Sequence, residues 1–269
     1  VNKDGTFRYD MTEMPLTHFK PKEIDTNISK LKDLGYIKDI YGKELVNEDQ
    51  VLELKIQDVV LPNSEESLEE GAKDVLFRVA NFVDDLLVYF YKEKPFYNLK
   101  NKNDIIGHYV VALAPHISAG AAARIIGFSK TQGFLAHPCY HSQLRRDCDG
   151  DEAGIMLLLD MLLNFSRRYL PAHRGSTQDA PLVLTFKIIP KEVDDMVFDM
   201  DVSWKYPLEL YEAALQYKPA GEVKIEKLGD FLGTDREYAG YGFTHETDNL
   251  NEGVKCSSYK SLPTMDEKV

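Results

Sequence analysis

The chain has 269 residues, of which 43% are hydrophobic and 28% are charged, a composition typical of a globular protein with a sizeable core. No apolar run approaches the ~18 residues that a membrane-spanning helix needs. The formal net charge of −12 argues against a free-standing nucleic-acid-binding protein, because such proteins present a basic surface. It leaves open an enzyme that holds phosphates through metal ions and a local basic patch.

The first 70 residues predict a mixed lead-in of strands and helix. A short helix is expected from about Pro21, stopped at Gly35, because glycine favours the end of a helix. The stretch QVLELKIQDVVLP alternates and is rich in β-branched and aliphatic residues, which predicts strands. The acidic stretch NSEESLEEGAKD that follows predicts a solvated loop.

Residues 72–175 predict the denser part of the fold. Helical periodicity with an aromatic-rich buried face indicates a helix over Ala72–Lys92. The segment IIGHYVVALAPH predicts a buried strand ending at Pro115, and SAGAAARIIGF predicts a helix with Ser118 as its N-cap. The apolar stretch AGIMLLLDMLLNFSRRYL predicts a further helix over about 153–170.

Residues 181–269 predict a strand followed by helices. APLVLTFKIIP has the composition of a strand, while PLELYEAALQY and EVKIEKLGDFLG have the pattern of amphipathic helices. Neither an internal repeat nor a low-complexity segment is evident. The fold class expected for the whole chain is therefore α+β.

The cysteine spacing and the N-terminal sequence indicate the redox environment of the protein and whether the chain is a fragment. Cys139, Cys148 and Cys256 are widely spaced without a C-x-x-C pair, so they predict neither a disulfide framework nor a structural zinc site. A reducing cytoplasmic location is the expectation. The opening VNKDGTFRYD has no initiator Met and no apolar signal core, which leads us to expect an internal fragment of a longer chain.

The sequence RRDCDGDEAG at 145–154 crowds carboxylates around a glycine. Asp147, Asp149 and Asp151 alternate, so in an extended segment their side chains would face the same side and converge. Gly150 permits a sharp bend or the close approach of a ligand. Oxygen ligands at this density suit Mg²⁺, and we therefore expect these three aspartates to be metal ligands.

Two other interpretations of the acidic cluster remain. A calcium-binding EF-hand loop fits Asp147, Asp149 and Asp151, but Glu152 stands where the loop requires glycine and Leu158 where it requires glutamate. The cluster could also be a solvated acidic turn. Its position between the apolar stretches FLAHPCYH and IMLLLDMLL favours a partly enclosed site instead.

Basic and imidazole side chains precede the aspartates. Arg145 and Arg146 could neutralise them or bind phosphate through bidentate hydrogen bonds, and arginines beside metal-binding aspartates suit phosphoryl transfer. His137 and His141 lie four residues apart, but the intervening Pro138 argues against a helical zinc pair. Each histidine is expected to be a structural, hydrogen-bonded group or to contact substrate.

Several longer stretches resemble the large catalytic subunit of archaeal family D DNA polymerases, also called DNA polymerase II. They cover nearly the whole chain in order: PLTHFKPKEI, KLKDLGYIKDIYGKEL, GHYVVALAPHISAGAAARIIGF, AHPCYHSQLRRDCDGDE, MLLLDMLLNFSRRYLP, DAPLVLTFKIIPKEVDDMVFDMDV and FTHETDNL. Members of that family are far longer than this chain. The resemblance is therefore consistent with the expectation of a fragment.

The resemblance implies a catalytic region of the two-barrel polymerase type, built on double-psi β-barrels, with helical insertions and flanking helices. Asp149 and Asp151 match the two catalytic aspartates of the family's NCDGDED-like motif. Asp147 stands where the family usually has Asn, and Ala153 where it usually has Asp, so the sequence departs from the family motif at two positions around the catalytic pair. The family's basic-residue barrel and zinc modules find no counterpart in this sequence.

The function that the resemblance implies is Mg²⁺-dependent transfer of deoxynucleotides to a primer 3′ end in DNA replication. Asp149 and Asp151 would be catalytic, and Arg145, Arg146, His137 and His141 would bind or position substrate. The implied partners are primer-template DNA, deoxynucleotides, a small exonuclease subunit and a sliding clamp. Two alternatives stay open from the residues alone: a metal-dependent nuclease, and a cation-binding structural module without chemistry.

Overall fold

The computed structural model describes residues 1–115, 117, 119–169, 183–189, 195–242, 249–256, 264 and 266. Within these ranges the strands are β1 (Tyr9–Pro15), β2 (His18–Phe19), β3 (Leu52–Glu53), β4 (Asp58–Pro62), β5 (Tyr109–Leu113), β6 (Ala119–Ser129), β7 (Gly133–Ala136), β8 (Glu152–Leu157) and β9 (Val183–Thr185). Two of them, β2 and β3, form a separate antiparallel pair.

Six strands pair in a closed ring. Strand β4 pairs with β7, β7 with β1, β1 with β8, β8 with β5, β5 with β6, and β6 again with β4. The β1–β7 and β4–β6 pairs are parallel, and the other four are antiparallel. A sheet that returns to its first strand is a barrel without open edges in the ring. Strand β9 adds a parallel partner outside it, to β6.

Helices lie between and after the barrel strands. They are α1 (Ile28–Asp33), α2 (Ala72–Asp85), α3 (Pro138–Gln143), α4 (Leu158–Asn164) and α5 (Leu208–Leu215). Short 3₁₀ helices occur at Pro21–Glu23, Lys102–Ile105, Arg167–Tyr169, Asp195–Asp199, Ala220–Glu222, Leu228–Phe231 and Leu250–Glu252. The mixture of helices with a large mixed sheet confirms the predicted α+β class. Among the described residues, no helix combines the length and apolar character that a bilayer crossing requires.

The first half of the chain follows its predicted elements closely. The helix expected from Ala72 to Lys92 is present as α2, which continues as a π-helix over Leu86–Tyr91. The strands predicted between residues 50 and 62 are β3 and β4, and the strand predicted before Pro115 is β5. The helix expected from Pro21 is shorter: a 3₁₀ turn comes first, and α1 begins only after Asn27, whose side chain accepts a hydrogen bond from the Lys30 N–H.

The helix predicted for the small-residue stretch after Ser118 is wrong, because this stretch is a strand. Residues Ala119–Ser129 form β6, the longest strand of the barrel; Ser118 itself lies outside the described residues. The small side chains serve close strand packing, because a Cβ at Gly127 would overlap the carbonyl oxygen of Ile24. Small residues indicate close approach in either secondary structure, so they could not decide between the two.

The helix expected over 153–170 begins later than predicted. Its first part is strand β8, and α4 starts only at Leu158. Strand β8 is buried on both faces: Ile155 joins the main core, while Met156 packs against Val111. A strand covered on both sides has no polar alternation, so its sequence is indistinguishable from a buried helix.

The C-terminal third departs further from its predicted elements. Helix α5 confirms the prediction for PLELYEAALQY, but EVKIEKLGDFLG is not an α-helix. Lys227 pairs with Asp201 in an isolated bridge, and Leu228–Phe231 form a 3₁₀ helix in which Gly229 lies against Phe198. Of the strand predicted over 180–190, residues 183–189 are described, and only Val183–Thr185 form a strand, β9. The predicted boundaries at 175 and 181, and residues 243–248 of FTHETDNL, lie outside the described residues.

Candidate metal and active site

The acidic motif lies in a loop between α3 and β8. Arg145 and Cys148 have positive φ angles of 61° and 65°, and Gly150 has a φ of 120°. Such left-handed residues fold the chain back on itself. Asp149 and Asp151 therefore lie in a bent loop that leads from a helix into a strand, and not in the extended segment from which their convergence was inferred.

The three aspartates converge despite the bent backbone. One carboxylate oxygen from each of Asp147, Asp149 and Asp151 lies within 4.8 Å of the others. Asp147 and Asp149 are exposed and Asp151 is half-buried. Asp147 is the main cause that raises the pKa of Asp149, because two neighbouring negative charges disfavour ionisation. Carboxylate oxygens that are close together, accessible and mutually repulsive fit a hard divalent cation such as Mg²⁺.

The two arginines differ in their surroundings. Arg146 donates a hydrogen bond from Nη1 to the Asp151 carboxylate at 2.9 Å, and its backbone N–H bonds to the His141 carbonyl at 3.2 Å. The Arg146 side chain is thus part of the loop's internal structure. Arg145 is exposed and stands at the turn where α3 ends, so its guanidinium can reach an incoming anion.

His137 and His141 lie at the N-cap and inside one short helix, α3, so Pro138 did not prevent a helix from forming between them. It is the first residue of α3, the one position where proline fits a helix well, and His137 is the N-cap, whose Nδ1 accepts the Cys139 N–H at 3.1 Å. Burial, followed by the nearby His141 and His18, lowers the pKa of His137 to about 3. His137 is therefore a neutral residue of the interior.

His141 connects α3 to the barrel. Its Nε2 lies 2.9 Å from the carbonyl oxygen of Met14, and its Nδ1 lies 3.1 Å from a carboxylate oxygen of Glu13. Both His141 and Glu13 are about 1% exposed. Neither histidine thus reaches the surface, and any influence on substrate would pass through the loop that follows α3.

Glu13 was missed by the sequence analysis. It lies on β1, and its backbone N–H donates to the Asp151 carbonyl at 2.9 Å, which attaches the acidic loop to the barrel. The signal was the strand pattern itself: Met11 and Glu13 are two residues apart and both buried, so alternation places a carboxylate at a core position. Burial, with Glu13 as the next cause, raises the pKa of the adjacent Cys148 to about 12.

Comparison with known proteins connects this site to one family. A family model described as the catalytic domain of the DNA polymerase II large subunit DP2 matches residues 1–268. The DNA polymerase II large subunits of Archaeoglobus fulgidus, Pyrococcus furiosus and Methanococcus maripaludis are 54%, 52% and 50% identical to the chain. Each of these alignments covers 100% of this chain.

The alignments cover much less of the relatives. The chain spans 23% of the Archaeoglobus and Methanococcus proteins and 21% of the Pyrococcus protein. Identity near one half, sustained over the whole chain, far exceeds what a shared short motif would produce, and the match includes the barrel strands as well as the acidic loop. The chain therefore belongs to the family of the DNA polymerase II large subunit DP2, within its catalytic domain.

Proposed function

We propose that this chain carries the aspartate-bearing part of a DNA polymerase active site, at which deoxynucleotides are added to a primer 3′ end. The proposal is supported by family membership and by the names of the relatives, which are DNA polymerase II large subunits. The observation that carries it is the convergence of Asp147, Asp149 and Asp151 within 4.8 Å on a partly exposed loop.

In this proposal Asp149 and Asp151 hold Mg²⁺, with Asp147 as a third oxygen ligand. When bound, Mg²⁺ would activate the primer 3′-hydroxyl and stabilise the leaving pyrophosphate. The remaining work belongs to the chain. Arg146 fixes the orientation of the Asp151 carboxylate through its 2.9 Å hydrogen bond, and the Glu13 N–H fixes the backbone of the same residue. Both contacts preorganise a ligand before a cation arrives.

Arg145 and Arg146 have unequal roles in binding phosphate. Arg145 is exposed and is the better candidate for contact with a substrate phosphate, whereas Arg146 is occupied by Asp151. His137 and His141 are buried, so we assign them the shaping of the site and not direct contact with substrate. His141 does so through its carbonyl, which accepts the Arg146 N–H.

The barrel is proposed to be of the double-psi type that the resemblance implies. A closed ring of six strands containing two parallel pairs, β1–β7 and β4–β6, supports this assignment. The acidic loop immediately precedes β8, which lies between β1 and β5 in the ring. A rigid barrel strand on one side of the loop would hold the aspartates in place better than a flexible connection.

Further partners are proposed on the strength of the family alone: primer-template DNA, deoxynucleotides, a small exonuclease subunit and a sliding clamp. A second barrel with basic residues, supplied by the remainder of the large subunit, would complete the active site. On this proposal the isolated chain does not extend a primer in the presence of Mg²⁺, and clear processive synthesis by the chain alone would contradict it.

The test is single-nucleotide incorporation by the complete polymerase carrying Asp149→Asn or Asp151→Asn. Each substitution keeps the side-chain size but removes a charge that attracts Mg²⁺, so incorporation should fall about 1000-fold or more, while the melting temperature without Mg²⁺ stays nearly unchanged. Asp147→Asn is the matched comparison and should be milder, because it removes the main cause that raises the pKa of Asp149 and an amide oxygen can still bind the cation.

Three results would overturn this assignment. Near-normal incorporation by Asp149→Asn would mean that the acidic cluster is not the catalytic metal site. Normal incorporation accompanied by loss of a DNA-degrading activity in the same variant would assign the cluster to a nuclease. A joint loss of activity and thermal stability, with both restored by Mg²⁺, would indicate a structural ion.

A further inference from the structure

A second group of metal-binding side chains lies beside the acidic loop. Glu13, His141 and Cys148 each offer one donor atom, and these atoms all lie within 4.8 Å of one another. Glu13 and His141 are buried and Cys148 is half-buried. The group draws on three elements: strand β1, helix α3 and the loop that carries the aspartates.

The hydrogen bonds of His141 determine which ring nitrogen faces this group. Its Nε2 lies 2.9 Å from the Met14 carbonyl, which can only accept, so the Nε2 carries a proton. In the neutral imidazole the other nitrogen, Nδ1, then has a free electron pair. A metal-binding histidine characteristically donates its other N–H to a backbone carbonyl in this way.

The electron pair of Nδ1 is directed at another electron donor. A carboxylate oxygen of Glu13 lies 3.1 Å away, and neither Glu13 oxygen accepts a hydrogen bond from the part of the chain that the structure describes. A nitrogen lone pair facing a carboxylate is repulsive unless a cation lies between them. A proton would join Glu13 to His141 and form an ion pair, but it would leave Cys148 and the second carboxylate oxygen without a role.

We propose that Glu13, His141 and Cys148 form a second cation site, selective for zinc or a similar transition metal over Mg²⁺. Imidazole and thiolate ligands favour such ions, whereas Mg²⁺ prefers oxygen. The distances are suitable: ligands bound to tetrahedral zinc at about 2.0–2.1 Å lie roughly 3.3 Å apart, close to the 3.1 Å between Nδ1 and the Glu13 oxygen. On binding, the Cys148 thiol loses its proton to solvent and supplies the third ligand as thiolate.

The proposed site differs from the Mg²⁺ site in donors and in consequence. It shares no side chain with Asp147, Asp149 or Asp151, yet Cys148 lies between the first two in sequence, and the Glu13 N–H holds the Asp151 carbonyl. A metal at the second site would therefore fasten the acidic loop to β1 and α3. The inference does not require that the chain be a polymerase.

The experiment is titration of the chelator-treated chain with Co²⁺, followed by competition with Zn²⁺ and, separately, with Mg²⁺. A cobalt–thiolate bond produces a near-ultraviolet charge-transfer band that carboxylate ligands cannot produce. We expect such a band at one equivalent, abolished by Zn²⁺ and unaffected by Mg²⁺. Cys148→Ser should remove the band, while the exposed Cys256 provides the control, since Cys256→Ser should retain it.

Glu13→Gln tests the carboxylate without breaking the core, because the amide can donate a hydrogen bond to His141 Nδ1. It should weaken Co²⁺ and Zn²⁺ binding about tenfold or more, because the loss of even an outer-shell partner of a metal ligand costs that much, and the circular dichroism spectrum should be retained. No band, or a band that survives Cys148→Ser, would leave only a proton between Glu13 and His141 and would overturn the proposal. So would binding lost in Asp149→Asn but kept in Glu13→Gln, since the metal would then lie on the aspartates.

Discussion

Two buried carboxylates lie on barrel strands, Asp58 on β4 and Glu13 on β1. They differ in the number of hydrogen bonds that they accept from the surrounding residues. Asp58 receives both Nε and Nη2 of Arg124 at 2.9 and 2.8 Å, and the Tyr36 hydroxyl at 2.7 Å. Glu13 is as deeply buried, at 1% exposure against 4% for Asp58, but neither of its oxygens accepts a hydrogen bond from the described residues.

The contrast separates a carboxylate that holds the fold from one that is available to a ligand. A buried charge is tolerated when its lone pairs are satisfied, and Asp58 meets that condition through a planar, bidentate arginine contact. Burial, followed by Asp58, raises the pKa of Tyr36 well above its usual value, which keeps the hydroxyl protonated as a donor. Glu13 lies beside the acidic loop, and its carboxylate oxygens accept no hydrogen bond from the described residues. Such a carboxylate is available to bind a cation.

The largest expected effect on stability is that of Asp58→Asn. This change leaves the Arg124 guanidinium without its anionic partner in a largely buried position, and breaking a buried ion pair from one side is strongly destabilising. We expect a loss of about 3 kcal/mol in the free energy of unfolding, or roughly 6–12 °C in melting temperature. Urea denaturation provides the measurement.

The matched control is Asp25→Asn, which removes an exposed carboxylate from its ion pair with the mostly covered Lys73 side chain. Asn tolerates the positive φ of 51° at that position, so the backbone should accept the change, and solvent screening makes the pair weak. Equal losses for Asp58→Asn and Asp25→Asn would show that the Asp58 cluster does not hold the barrel together.

A smaller loss is expected for Tyr36→Phe. The ring remains packed against Phe19 in an edge-to-face contact with centroids 5.4 Å apart, but Asp58 loses one of its three donors. A hydrogen bond to a charged group contributes about 1.5 kcal/mol or slightly more, and we expect that loss. An unchanged midpoint in urea would mean that Arg124 alone satisfies Asp58.

Glu13→Gln should change stability less than either substitution at the Asp58 cluster. Replacing a charge that accepts no hydrogen bond with an amide that can donate to His141 Nδ1 removes little and adds one bond. The free energy of unfolding of the metal-free chain should therefore stay within about 1 kcal/mol of the original, in either direction. A loss as large as that of Asp58→Asn would show that the two carboxylates have the same structural role.

The smallest expected effect is that of Mg²⁺ on the chain itself. A cation that binds only the folded state at a concentration equal to its Kd should raise the melting temperature by about 1–2 °C. Asp149→Asn should abolish this shift and Tyr36→Phe should preserve it, because the Asp58 cluster lies apart from the acidic loop. An equal shift in Asp149→Asn would place the bound Mg²⁺ elsewhere on the chain.

Sequence patterns predicted elements whose burial is one-sided. Helix α2 alternates between a buried face with Leu76, Val79 and Val83 and an exposed opposite face, and its sequence shows that periodicity. Strands β6 and β8 are buried on both faces, so periodicity could not distinguish them from helices. The closed ring of strands was implied by family resemblance alone, because pairing between distant segments leaves no local pattern.

Only part of the candidate site could be predicted from the sequence. The aspartates were recognisable because crowded like charges have no benefit for folding, and the structure does bring them together. The reason given, alternation along an extended strand, was wrong, since Cys148 and Gly150 bend the loop through left-handed conformations. Glu13 could be placed at the site only after folding, because more than a hundred residues separate it from the loop to which its N–H is bonded.

The way in which the barrel closes has a consequence for how the chain acquires its structure. Strand β1 pairs with both β7 and β8, and Thr12 faces Gly133 on one side and Glu152 on the other. Joining segments so remote in sequence costs much loop entropy before it brings any contact energy, which is characteristic of slow folding. During synthesis β1 therefore stays unpaired until the ribosome has synthesised most of the barrel strands, including β7 and β8. Exposed strand edges promote aggregation in that interval, so truncated forms that end before β7 should depend strongly on chaperones.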